Sequence, residues 1–98
     1  MIKTYRLVVF DVEITEEFEN ESSATDYVKK DAKERGVPLE SERFILIERI
    51  NHVDFRAKAS HPGMDKGLDK PNIWYRILYA EDDPSGVPIY VLDDDNCG

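Results

Sequence analysis

The sequence predicts an α+β fold: a mostly antiparallel sheet of four to five strands with one helix packed on one face, in the order β-α-β-β-β-β. Three observations lead there. The chain is 98 residues long, the size of one domain. One stretch, residues 23–35, has apolar residues at helical spacing between cap signals. Most other apolar residues alternate in short runs separated by Gly, Pro, Asn and Asp, which is how strands joined by turns read.

Residues 4–15 form the first predicted strand, with Val8, Phe10, Val12 and Ile14 on one face and Asp11, Glu13 and Thr15 on the other. A charged connection, residues 16–21, follows with Phe18 as its anchor. Ser23 is the expected N-cap of the helix, with Asp26 three residues on in a variant of the capping box. Ala24, Tyr27, Val28 and Ala32 make a narrow apolar stripe, while Lys29, Lys30, Lys33 and Arg35 load the later turns, where positive charge suits the macrodipole. Gly36 takes the C′ position and Pro38 blocks continuation.

Residues 43–50 hold an apolar run fit for a central strand, and residues 53–59 alternate strictly. Between them Asn51 and His52 suit a tight hairpin turn, since Asn tolerates positive φ; one bent strand with a bulge is the competing reading. Residues 60–71 have two glycines, two prolines and no periodicity, a long loop for a compact domain. Residues 72–80 return to strand character, residues 81–86 turn, and residues 87–92 form the last strand. Pro88, which lacks a backbone donor, places that strand at a sheet edge. The expected organisation is one compact domain over residues 1–92 and an acidic flexible tail over residues 93–98.

Composition narrows the function classes. An apolar share of 41% with ten aromatics supports one core and argues against a disordered chain. The longest apolar runs are four residues, far short of the roughly 20 that span a bilayer. With no signal-peptide pattern and a single cysteine, Cys97, the expected home is a reducing cytoplasm. The net charge of −8 is concentrated at the end: residues 81–98 carry six acids and no base, whereas residues 41–80 are net basic. Such a chain is repelled by phosphate backbones and attracted to basic protein surfaces, so neither direct nucleic-acid binding nor membrane attachment is expected.

Candidate chemistry is sparse. His52 and Asp54 would share a strand face, but no nucleophile is placed near them, and a solvated face is the better reading. Ser60 and His61 lie in the long loop without the Gly-x-Ser-x-Gly elbow that would set a nucleophile. Gly63, Lys66, Gly67 and Lys70 resemble a phosphate cradle only in composition. Paired Cys/His spacing for zinc is absent, the acid runs lack the D-x-D-x-D-G order of a Ca²⁺ loop, and no cofactor is expected. Cys97 sits among acids, which disfavour its thiolate.

What remains is surface. Glu81, Asp82 and Asp83 with Asp93, Asp94 and Asp95 are candidate partner-binding acids, against the plainer reading that they only solubilise. Trp74 is first a core residue and second an interface hot spot. The expected function is a small acidic, non-catalytic protein acting through protein contact. An inhibitor or regulator of a basic or nucleic-acid-binding target, of the phage or mobile-element type, is its special case. Two alternatives stand beside it: a small enzyme using His61 with Asp65 or Asp69 in the loop of residues 60–71, and a homo-oligomeric module, a homodimer through the edge strand.

Overall fold

The computed structural model describes residues 1–10, 14–79 and 86–93, with residues 14 and 15 as backbone alone. Among them one helix packs on one face of a six-stranded, fully antiparallel sheet of order β2-β1-β3-β4-β5-β6. The α+β class and the single helix are as expected; the strand count is one higher.

The additional strand comes from the N-terminal segment. Residues 4–15 are not one strand but β1 (Lys3–Val9) and the start of β2 (Ile14–Phe18), with Val9 opposite Ile14. The alternation of apolar residues runs on through the reversal, and no Gly, Pro or Asn marks it, so the pattern reads as continuous. The fully buried residues of β1 are Leu7 and Val9, and Phe10 packs with the opposite face of the sheet.

The helix α1 (Glu21–Arg35) begins earlier than expected. Asn20, in extended backbone, is the N-cap, and its Oδ1 accepts the N–H of Ser23 at 2.8 Å. Ser23 therefore supplies a donor to the cap and is not the cap itself; Asn serves that position as well as Ser. Asn20→Ala is expected to cost about 1 kcal/mol in thermal unfolding, and Ser23→Ala only a few tenths. The other end is as read: Gly36 has φ 70, the Val37 N–H reaches the Ala32 carbonyl at 3.0 Å, and the chain leaves through Pro38 into a single 3-10 turn, Leu39–Ser41.

β3 (Phe44–Ile50) and β4 (Val53–Ala59) form a hairpin through Asn51 and His52, with φ 51 and 66. Two successive positive φ values are what a type I′ turn requires. A register shift at Glu48 and Arg49 adds a bulge, so both features weighed from the sequence are present, on a hairpin rather than a bent strand. β5 (Tyr75–Tyr79) and β6 (Pro88–Leu92) complete the sheet, with β6 at the edge where Pro88 placed it.

Each face has its own core. On one, Ala24 and Val28 of α1 close over Leu7, Val9 and Leu46. On the other, Ile45, Ala57, Ala59, Tyr75 and Ile77 are covered by the segment between β4 and β5, through Leu68, which is 0% exposed, and Met64. The two alanines on β4 let that segment lie close to the sheet. The long loop is thus a packed layer of the domain.

Candidate functional site

Glu48 on β3 and Arg56 on β4 are directly opposite in register. Arg56 donates from Nη2 and Nε to Glu48 Oε2 at 2.8 and 3.0 Å, and from Nη1 to Asp93 Oδ2 at 3.1 Å. Glu48 and Asp93 are 2% and 6% exposed, and buried carboxylates of this kind are stable only when paired. The Tyr5 hydroxyl adds a bond to Glu48 at 3.3 Å. The Trp74 ring lies beneath Arg56 at 4.3 Å and Lys58 at 4.8 Å, and Lys58 in turn pairs with Glu21. Burial alone would lower the Arg56 pKa, but its hydrogen bonds to Glu48 and Asp93 outweigh that and raise it. Burial, then the Glu48 charge, pushes the Tyr5 phenol above its ordinary value. The network is a clasp: it joins β3, β4 and the chain leaving β6.

Asp93 is therefore not an exposed acid at the head of a tail. Its N–H bonds the Trp74 carbonyl at 3.1 Å and its carboxylate bonds Arg56, so residue 93 belongs to the domain. Trp74 is half-buried against the helix-side core, the first of its two expected readings. Glu81, Asp82, Asp83, Asp94, Asp95 and Cys97 lie outside the described residues.

The loop candidate has a cavity of about 340 Å³ beside it, between α1, the 3-10 turn and Ser60–His61. His61 Nε2 meets the Glu40 carbonyl at 2.6 Å and Nδ1 meets Ser60 Oγ at 2.8 Å. A carbonyl can only accept, so Nε2 donates to Glu40. Ser60 Oγ also accepts the Phe44 N–H at 2.9 Å. Neither imidazole nitrogen is bonded to Asp65 or Asp69. Asp65 instead accepts the Lys66 N–H at 2.8 Å and the Tyr90 hydroxyl at 3.0 Å. These contacts latch the loop to β3, the 3-10 turn and β6. The His52–Asp54 pair is likewise not formed: Asp54 takes Arg49 Nε at 3.0 Å, and the His52 carbonyl accepts from the same guanidinium.

The third region is the sheet face beyond the clasp. Following the register from Leu46 through Lys58, and from Arg56 through Arg76, places Leu78, Ile89 and Val91 on the helix side of the sheet. An α-helix is about 10 Å across and strands are about 4.8 Å apart, so one helix covers two or three strands. Here it covers β1 and β2 and reaches Leu46 on β3. Leu78, Ile89 and Val91 stay 44%, 50% and 45% exposed. Sequence reasoning missed this strip, although the signal was present: one helix cannot cover so wide a sheet.

Among the described residues no three His, Cys, Asp or Glu side chains gather to hold a metal ion, and no helix is long and apolar enough to cross a membrane. No protein-family model matches the chain, and neither a curated protein nor a solved structure matches it.

Proposed function

We propose that this protein acts by contact with another protein and carries out no covalent chemistry itself. The observation behind the reading is the apolar strip of Leu78, Ile89 and Val91, about half exposed on a sheet face that the helix leaves open. Exposed apolar side chains grouped on adjacent strands mark contact surfaces more often than scattered ones do. The charge of the chain narrows the kind of partner. After Arg76 the sequence has no lysine or arginine and, besides the buried Asp93 that pairs with Arg56, five further acids, so a basic protein surface is attracted and an acidic one repelled. An inhibitor or regulator of a nucleic-acid-binding protein, whose surface is basic by necessity, is the special case.

Affinity enrichment from the native cell, run with the wild type beside the Leu78→Thr, Ile89→Thr, Val91→Thr triple variant, tests the reading. All three positions are exposed, so the variant should keep its thermal midpoint within a few degrees. Basic proteins retained by the wild type, released by salt and lost from the variant are the expected result. Equal retention by both proteins would remove the strip from the account.

A further inference from the structure

The outer edge of β6 differs from that of β2 at the other side of the sheet. β2 carries Glu16 and Glu17, the kind of charge that discourages edge pairing. β6 reads Pro-Ile-Tyr-Val-Leu and carries no charge. The Asp93 N–H bonds the Trp74 carbonyl, and in the same register Val91 faces Arg76 and Ile89 faces Leu78. Bonded and non-bonded pairs alternate in an antiparallel ladder, so the N–H groups of Tyr90 and Leu92 and the carbonyls of Pro88, Tyr90 and Leu92 point away from β5. Pro88 sits where its missing donor costs the ladder nothing. Among the described residues no strand lies beyond β6.

Both sides of that edge offer apolar surface. On the helix side are Ile89 and Val91. On the other, a cavity of about 340 Å³ opens between residues 65–67 and residues 87–90. Gly67, at φ 95, approaches Tyr90 so closely that a Cβ there would lie 3.3 Å from the ring, and the Tyr90 hydroxyl is held by Asp65. An added strand sends alternate side chains to the two faces, one set toward the strip and the other toward the cavity.

We propose that β6 receives an extended segment of a partner protein as a further antiparallel or parallel strand, apolar in its middle and bearing lysine or arginine at both ends. This rests on the protein-contact reading above and names how the contact is made. The flanking charge comes from the sequence: Glu81, Asp82 and Asp83 precede β6, and Asp94 and Asp95 follow it. A second copy of this chain carries the same net charge of −8, which opposes self-association.

The test uses the full chain and a fluorescent peptide on the order of ten residues, Lys-Lys-Thr-Val-Val-Tyr-Val-Thr-Lys-Lys, read by anisotropy. A second peptide has glutamate in place of every lysine. Binding of the lysine peptide should weaken about tenfold in Leu92→Pro, which removes one outward donor, and at least as much in Ile89→Lys, whose exposed position keeps the fold. It should weaken several-fold between low and about 0.3 M salt, and the glutamate peptide should not bind. No binding by the wild type, or equal binding by both variants, overturns the proposal. So does a dimer in solution that Leu92→Pro dissociates, because the edge then belongs to a second copy. If the peptide fails while the triple threonine variant still loses its partner, strand addition falls and the contact reading stands; if both fail, both fall.

Discussion

Arg56→Leu is expected to destabilise the protein by about 3–5 kcal/mol, the largest loss for any single side chain in the clasp. The cost arises less from the lost bonds than from what they leave behind. Glu48 and Asp93 would remain buried without the guanidinium that joins them, and a buried carboxylate that loses its counter-charge must either stay ionised at a cost or take up a proton. Combining Arg56→Met with Glu48→Leu and Asp93→Leu removes the charges together and should restore much of the loss, since a buried ion network and an apolar cluster of like volume are often close in stability. Urea unfolding of the single and triple variants reads both effects. A single variant within about 1 kcal/mol of the wild type would show that water reaches the network, because exposed ion pairs contribute no more than that.

Leu68→Ala should cost about 2–5 kcal/mol, the range for truncating a fully buried leucine. Leu68 has 0% exposure and is the centre of the layer that the segment between β4 and β5 lays over Ile45, Ala57, Ala59 and Ile77. A loop that merely spanned the surface would tolerate the change within about 0.5 kcal/mol. Thermal unfolding distinguishes the two. Limited proteolysis adds a local reading, with cleavage near Lys66 or Lys70 appearing in the variant first.

How far the sequence reveals this structure depends on the kind of signal. The hairpin at Asn51 and His52, the helix end at Gly36 and the edge strand at Pro88 were all legible, because each rests on a residue whose backbone chemistry restricts where it can sit. The reversal between β1 and β2 was not, because it falls inside an unbroken alternation of apolar and acidic residues. Leu68 and Met64 were also hidden. They cover the sheet from an irregular segment, and burial without periodicity leaves no pattern to read. Asp93 looked like the first acid of a tail, since its partner Arg56 is 37 positions away and no local rule connects them. His61, the most suggestive catalytic residue in the sequence, is engaged at both nitrogens by Ser60 and the Glu40 backbone. The apolar strip was legible in principle, from strand count against helix width.

Residue-resolved amide hydrogen exchange on the unliganded full chain tests the central claim, that one strand of this sheet keeps a side open to an incoming chain. Slow exchange is predicted at Ile89, Val91 and Asp93, whose N–H groups bond to β5 and the residue before it, with exchange at Tyr90 and Leu92 faster by about a hundredfold or more. Equal protection at all five amides would mean the outer side of β6 is already occupied, and the protein would then have no place there to receive a partner.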